Sequence, residues 1–427
     1  MLLNAYVLGV LAVVALTMAI TGLARRLNLG RQTAEVPERF RVVLSPEDYA
    51  LSGRYQRASA TLEEWQDAVY FLIVAGFVLW GGLGWLDSQA RGLGLGELAT
   101  GLVFVGLTAL GSALIGLPFE IGRTFGIEAK YGFNTTTPWV FITDRLKGLV
   151  LTVVLGGGLL ALILLAYQHL GNKAWLAAWA VTALFTAVML YLGPVWLMPL
   201  FNKFTPLESG ELRSAIEEYA GRQGFRLTGL FVMDGSRRST KANAFVTGFG
   251  KNKRISLYDT LIDKLSVDEV LAVLAHEVGH ARHGHLRLGY GLAMLKMGVV
   301  LYALQVFLGG RALQLAFGVT VPSAHVGLVI FGLAFQPLAL LLGVAANAFS
   351  RRWEFQADAH GAGAPGGPRA LILALVSLSK VNYANLTPHP LWVWLNASHP
   401  PVLARISRLE ARQPVPYQGP GQGPQGS

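Results

Sequence analysis

The sequence predicts a mostly α-helical, polytopic membrane protein with a small α+β region inserted between its membrane spans. Hydrophobic residues make up 53% of the 427 residues and charged residues only 14%, well below the roughly 25% usual in soluble domains. Seven apolar stretches approach the ~20 residues that a helix needs to cross a bilayer. The chain has no cysteine, which excludes disulfides, thiolate metal ligands and a cysteine nucleophile.

The first apolar stretch, 2–24, is predicted to be a transmembrane helix. The basic pair Arg25 and Arg26 follows it, whereas a cleaved signal peptide has its basic residues first and a shorter apolar run. The remaining spans are expected at 68–87, 98–118, 148–168, 175–199, 286–308 and 325–349.

Lysine and arginine are distributed unevenly between the two sides of the membrane. If the N-terminus is outside, the inner segments hold 30 of the 35 basic residues, and the outer loops hold only Arg91, Lys173 and Arg311. This positive-inside pattern predicts an integral, multi-pass protein with its large insert and C-terminus in the cytoplasm. The net charge of +10 is not gathered in one block, so we expect no nucleic-acid partner.

The predicted spans divide the chain into five regions. Residues 1–199 contain five spans and their loops, 200–285 form a soluble insert, and 286–349 contain spans six and seven. A further soluble region covers 350–413. Residues 414–427 are rich in Pro, Gly and Gln, which predicts a disordered tail.

The insert mixes helical and strand patterns. A helix is predicted over 211–223 and a short strand over 230–233. Two further strands, 243–249 and 254–258, flank a Gly-Lys-Asn turn at 250–252 and predict a hairpin.

A helix is predicted to begin at Ser266, where Ser-Val-Asp-Glu fits a capping box, and it carries the sequence HEVGH at 276–280. His276 and His280 are four residues apart, so they share one helix face and can bind one Zn²⁺ ion. Glu277 lies beside that face, where it can accept a proton from an activated water molecule. The pentapeptide also occurs by chance in ordinary polar helices.

A catalytic zinc ion needs a third protein ligand. The pattern with glycine and histidine at 283 and 286 is excluded, because those residues are His283 and Leu286. Between 286 and 353 there is no Asp or Glu, and the first carboxylates after the motif are Glu354 and Asp358. On a helix these two share a face, so one can bind the metal while the other hydrogen-bonds a ligand histidine.

Other interpretations of these residues remain open. Glu354 could instead form an ion pair with Arg351 or Arg352 at a membrane edge. His283 and His285 are alternative ligands, although neither keeps the four-residue spacing to His276, and we expect them to face solvent or form hydrogen bonds.

Five motifs extend the pattern over most of the chain, from the first span to about Arg412. They are HEVGH at 276–280, NAFSRRWEFQAD at 347–358, NAF at 243–245 with GFGKNKR at 248–254 and LYDT at 257–260, HPP at 399–401 with Arg405, and YGFN at 131–134 with Thr137, Asp144 and Lys147. In these motifs the chain resembles the type I CAAX prenyl proteases, a family of integral-membrane zinc endopeptidases.

The resemblance implies seven helices that enclose a large intramembrane chamber, with a zinc protease domain on the cytosolic side. It implies one zinc ion on His276, His280 and Glu354, with Glu277 as general base and acid. Asp358 would orient a histidine ligand.

The remaining implied roles concern the substrate. Asn243 and Ala244 would lie on an edge strand whose backbone pairs with an extended peptide. His399 would help to stabilise the tetrahedral intermediate, and Arg405 would contact the substrate. That substrate would be a prenylated CaaX-type peptide or a similar hydrophobic peptide, reached from a surrounding of membrane lipid.

Three other functions are compatible with parts of the sequence. A general quality-control protease for membrane peptides would use the same site. A stress-type zinc protease with about four spans would share HExxH but would not explain five apolar stretches before it. A transporter or receptor would require charges inside the spans, where Lys296 is the clear exception to an uncharged pattern.

Overall fold

The computed structural model describes residues 1–412 except 34, 42, 225 and 248–251. Its N-terminal half is built from long helices, joined by short turns and by π-helical segments at Gly122–Glu128, Thr152–Gly156 and Gly193–Leu197. The helices of this half are α1 (Ala5–Gly30), α2 (Pro46–Trp80), α3 (Gly82–Gly92), α4 (Gly96–Ile121), α5 (Pro138–Leu151), α6 (Gly157–His169), α7 (Ala174–Leu192) and α8 (Met198–Phe201).

The second half alternates a small sheet with further helices. The strands are β1 (Phe204–Pro206), β2 (Arg226–Met233), β3 (Ala244–Thr247) and β4 (Asn252–Tyr258). The helices are α9 (Glu211–Arg222), α10 (Asp259–Ile262), α11 (Val267–Arg282), α12 (His285–Leu308), α13 (Arg311–Ala316), α14 (Ala324–Ala334), α15 (Gln336–Gly361), α16 (Gly367–Val381), α17 (Pro390–Asn396) and α18 (Val402–Glu410). Short 3₁₀ turns lie at Glu38–Phe40, Gly171–Lys173 and Gly235–Arg237.

Five helical rods in the described residues are long and apolar enough to cross a membrane, and there are seven when two bent pairs each count as one span. The bends, 68° between α2 and α3 and 63° between α14 and α15, interrupt the second and seventh predicted spans. Gly81 adopts a left-handed φ of 92° at the first bend, which an L side chain disfavours. Pro337 opens α15 and supplies no backbone N–H there.

The membrane helices are loosely enclosed by protein. Only 6% to 28% of the most apolar window of each of the five long rods is buried. A close-packed bundle would bury far more of these windows, so most of the apolar surface of each rod is left for lipid or for an internal space. This exposure suits a ring that faces lipid outside and an internal chamber inside.

The sheet has the strand order β1-β2-β4-β3. β3 and β4 pair antiparallel, as the predicted hairpin requires, while β2 and β4 are parallel. The predicted tip of that hairpin, at 248–251, lies outside the described residues, as does the predicted tail at 414–427. The sequence does not predict β1, because Pro206 has no backbone N–H to donate to a neighbouring strand. β1 lies at the edge of the sheet, where the missing hydrogen bond is tolerated.

The sheet, α9, α11 and α16 enclose the core of the soluble region. Its fully buried members include Ile216, Leu257, Leu261 and Leu274, from four different elements. Burial on this scale fixes the rotation of α11 about its own axis, and therefore the direction in which its polar residues point.

Candidate metal centre

The helix α11 begins as the sequence predicts. Ser266 and Glu269 form a reciprocal capping box, in which the backbone N–H of Ser266 donates to Glu269 Oε2 at 2.8 Å. Leu271, Leu274 and Val278 are buried in the core of the soluble region. A different face of the same helix carries His276 and His280 and packs against α15.

Close contact between α11 and α15 depends on a glycine in the motif. A Cβ atom at Gly279 would lie 2.9 Å from His360 Cβ and 3.0 Å from Ala357 Cα. Without a side chain at that position, the two helix backbones approach closely enough for the carboxylate of Glu354 to reach the histidines. Residues 354–358 are helical, as predicted. They belong to α15, which continues without a break from the last membrane segment into the site.

Three potential ligands converge at this crossing. Each of His276, His280 and Glu354 offers one ligand atom, and these atoms lie within 4.8 Å of one another. Nε2 of His276 and Nε2 of His280 are 3.1 Å apart, and they lie 3.5 Å and 3.3 Å from Glu354 Oε2 and Oε1. Two imidazoles and one carboxylate are a donor set that suits a catalytic metal ion such as zinc.

A second observation fits a cation. Glu354 is 2% exposed, and its Oε2 accepts no hydrogen bond from any residue that the structure describes. His399 Nδ1 approaches this oxygen to 2.8 Å, but the His399 side chain is 64% exposed. An unsatisfied buried carboxylate oxygen is costly, and a metal ion would satisfy it.

A buried ion pair supports the first ligand from behind. Asp358 Oδ1 lies 3.0 Å from His276 Nδ1. Arg405 donates from Nε and Nη2 to the two carboxylate oxygens of Asp358, at 2.9 Å and 2.6 Å, and its Nη1 lies 3.5 Å from Glu354 Oε2. The predicted contact of Arg405 with substrate remains a prediction; its observed partners are groups of the site itself.

His285 forms hydrogen bonds, one of the two outcomes that the sequence predicts for it, but the sequence does not predict its partner, the second ligand His280. His285 is buried, and its Nδ1 lies 3.0 Å from Nδ1 of His280. Its Nε2 lies 2.9 Å from Gln356 Oε1, and its ring stacks on Trp353. Because the amide oxygen only accepts, His285 donates from Nε2 and accepts at Nδ1, so the Nδ1–H of His280 donates and Nε2 of His280 is free to bind a metal. His283 is exposed.

The alternative ion pair at the membrane edge is not present. Arg351 Nη1 donates instead to the backbone carbonyls of Val393 and Ala397, at 3.0 Å and 2.8 Å. This arginine therefore fixes α17 against α15, and Glu354 is left to the site.

Glu277 opens onto a cavity of ≈ 590 Å³ that His280 also lines. Burial raises the pKa of the Glu277 carboxyl above its ordinary value, although the neighbouring histidines oppose this shift. A raised pKa suits a group that must both take up and release a proton.

The same cavity joins the site to the membrane helices and to the sheet. Leu190 of α7, Tyr290 of α12 and Val246 of β3 all contribute to its wall. β3 is an edge of the sheet, and Ala244 is its first residue. Asn243, just before the strand, is exposed. The predicted substrate strand thus lies beside the metal centre.

Fold and site together define a polytopic membrane protein with a helix-borne HExxH metal centre, the class of the membrane metallopeptidases. A family model described as CAAX prenyl protease N-terminal, five membrane helices, matches residues 25–203, and one described as Peptidase family M48 matches residues 206–413.

Individual proteins agree with these family matches. The CAAX prenyl protease 1 homolog of Oryza sativa subsp. japonica is 35% identical over 86% of this chain and 88% of its own length. The Homo sapiens homolog is 32% identical over 90% and 91%. The crystal structure of S. mikatae Ste24p matches with a TM-score of 0.87 and 28% identity, covering 95% of this chain and 99% of its own.

The chain therefore belongs to the CAAX prenyl protease family within peptidase family M48. It is an integral, multi-pass membrane metalloendopeptidase that acts on peptide or protein substrates. The transporter and the four-span stress protease are thereby excluded as interpretations of this chain.

Proposed function

We propose that this protein uses one zinc ion to hydrolyse a peptide bond near the C-terminus of prenylated CaaX-type, or similarly hydrophobic, peptides. The observation that carries the proposal is the convergence of His276, His280 and Glu354 within 4.8 Å, at the wall of a cavity that is also lined by membrane helices. Such a cavity offers apolar surface to a lipid chain and ligands to a metal in the same space.

The chemistry divides between the metal and the chain. His276, His280 and Glu354 would hold the zinc ion, which would polarise the scissile carbonyl as a Lewis acid and lower the pKa of water. Glu277 accepts the proton of the attacking water and returns it to the leaving amine. Asp358 and His285 contact the Nδ1 atoms of His276 and His280 at 3.0 Å, which would leave both Nε2 atoms available to bind the metal.

His399 is the proposed donor to the oxygen that gains charge in the tetrahedral intermediate. Its imidazole lies beside Glu354 and is 64% exposed, so the ring is accessible to a bound substrate. A donor placed there adds to the stabilisation of the developing oxyanion.

The substrate backbone is proposed to add to the free edge of β3. Ala244 pairs with Leu257 on one side only, which leaves the outer edge of β3 unpaired by the sheet. An extended peptide at that edge gains main-chain hydrogen bonds, while its apolar groups extend into the cavity.

The proposed orientation places the metal centre and the C-terminus in the cytoplasm, as the basic residues indicate. Because the chain has no cysteine, single cysteines can report this directly. We expect Ser209→Cys, in the soluble insert, to react with an impermeant maleimide only after lysis. Asn172→Cys, in a predicted outer loop, should react on intact cells. The reverse pattern would overturn the orientation.

A peptide assay tests the function itself. Purified protein is incubated with a farnesylated CaaX peptide and with its unprenylated twin, and products are identified by mass spectrometry. We expect release of the last three residues from the farnesylated peptide, loss of cleavage with a chelator, and recovery with zinc. Equal cleavage of both peptides at scattered sites would favour the quality-control function instead.

A further inference from the structure

The residues that precede β3 are attached to the membrane half of the protein. Ser239 forms an antiparallel β-bridge with Asn134, in the loop between α4 and α5. The backbone N–H of Thr240 donates to Phe133 O at 3.0 Å. The chain therefore runs along a membrane-side loop immediately before it enters the proposed substrate strand.

Lys241, the next residue, inserts its ammonium into an aromatic cage. Its Nζ donates to Tyr55 Oη at 2.9 Å and to Glu128 Oε1 at 3.1 Å. It also lies 4.5 Å from the ring centroid of Phe133 and 5.2 Å from that of Tyr55. An ion pair combined with cation–π contacts fixes this side chain more firmly than a surface ion pair would.

Ala242 follows, and one side chain binds both of its backbone groups. Its N–H donates to Asn382 Oδ1 at 3.3 Å, and Asn382 Nδ2 donates to its carbonyl at 3.4 Å. Ala242 is 6% exposed, so water has little access to these groups. The amide thus substitutes for a neighbouring strand at a position where the sheet provides none.

The backbone next to Asn382 is conformationally strained. Tyr383, the residue after it, has a φ of 49°, the one positive value among non-glycine residues that the structure describes. Gln56 of α2 donates to its carbonyl at 3.0 Å, and its ring packs 4.6 Å from Phe133. Strain of this kind persists only where the surroundings determine the backbone, and it occurs preferentially at functional sites.

We propose that Asn382 and Lys241 are positioning residues that fix where the proposed substrate strand, β3, lies and in which direction it runs. They hold residues 241–243 from outside the sheet, so that the free edge of β3 meets the peptide in register with the metal centre. This inference rests on the proposed function, because it requires that substrate pairs with β3. The inference adds that β3 is held in position by α2 and by the end of α16.

The test is Asn382→Ala, compared with Asn385→Ala. Asn385 lies in the same loop, but its Nδ2 donates to Asn28 Oδ1 at 3.2 Å and so anchors the loop to α1. For Asn382→Ala we expect KM for the farnesylated peptide to rise about tenfold, with kcat within about twofold and zinc content unchanged. Asn385→Ala should leave KM at the wild-type value even if it lowers the melting temperature.

Two further variants sharpen the result. Asn382→Asp keeps the acceptor for the N–H of Ala242 and should recover part of the lost affinity. Lys241→Met keeps the length of the side chain but removes the charge, and it should raise KM in the same way as Asn382→Ala. A wild-type KM in Asn382→Ala, or an equal rise in Asn385→Ala, would overturn the inference.

A binding measurement keeps the inference separate from the proposed function. In a Glu277→Gln background, the affinity for a fluorescent farnesylated peptide is measured without turnover. We expect Asn382→Ala to weaken that affinity about tenfold. If wild-type protein cleaves no peptide, the proposed function fails, but this measurement still decides the inference: equal affinities of the Glu277→Gln protein with and without Asn382→Ala contradict it.

Discussion

Asp358 Oδ1 lies 3.0 Å from Nδ1 of His276, while the other nitrogen of that ring faces Glu354 at 3.5 Å. Both carboxylates come from one helix, four residues apart, and they contact opposite nitrogens of one imidazole. The carboxylate that closes the metal site and the carboxylate that orients its first ligand therefore move together with α15.

Replacing Asp358 by Asn should weaken metal binding without removing a ligand. The amide cannot take the charge of the carboxylate, and it leaves Arg405 without its bidentate partner. We expect zinc affinity to fall about 10- to 100-fold, as measured by competition with a fluorescent chelator. Asp263→Asn, an exposed aspartate of the same soluble region, is the control and should bind zinc as wild type does.

Replacing Glu277 by Gln should separate metal binding from turnover. The three ligands are untouched, so the bound zinc measured by elemental analysis should match wild type. Because the amide cannot accept a proton, kcat for peptide cleavage should fall by about 10²- to 10⁴-fold. Full turnover in this variant would refute the role of Glu277 as base.

Replacing His285 by Ala should leave the ring of His280, the second ligand, free to rotate. His280 then loses the acceptor at 3.0 Å that holds its Nδ1–H, and its ring can rotate away from the ion. We expect about tenfold weaker zinc binding and slower reconstitution of the zinc-depleted protein. His283→Ala removes an exposed ring that only stacks on His285, and it serves as the matched control. Equal losses in both variants would argue against this role of His285.

A methyl group at Gly279 should force α11 and α15 apart. The added Cβ would meet His360 Cβ at 2.9 Å and the backbone of Ala357 at 3.0 Å, so one of the helices must shift. We expect a loss of about 1–3 kcal/mol in the free energy of unfolding, together with reduced zinc occupancy. Gly291→Ala, on α12, meets no atom within 4 Å and should show neither effect in a thermal melt in detergent.

The fold could be predicted where the signal is local. The capping box at Ser266, the helix 211–223 and the pairing of β3 with β4 all follow from patterns within a few residues, and the structure confirms them. The bends at Gly81 and Phe335 do not follow from the hydropathy pattern, which shows whether a stretch is apolar but not whether it is straight.

The site could be predicted in its ligands but not in its supports. The absence of carboxylates over 286–353 leaves Glu354 and Asp358 as candidates, the family resemblance implies Glu354, and the structure places Glu354 at the histidines. No sequence pattern indicates the hydrogen bond between His285 and Gln356, because the two residues are 71 positions apart and a glutamine belongs to no metal-site motif. The observed partners of Arg405 likewise depend on where α18 packs.

The sequence by itself predicted seven apolar stretches and the helix that bears the two histidines, because these follow from hydropathy and from spacing along one helix. The reaction was implied by the resemblance of its motifs to a known family. Only the tertiary structure decided which distant groups meet at those histidines and what holds the substrate strand in place. Those contacts depend on how closely two helices pack and on which loops the membrane half presents, and such distances are set by the packing of the whole chain.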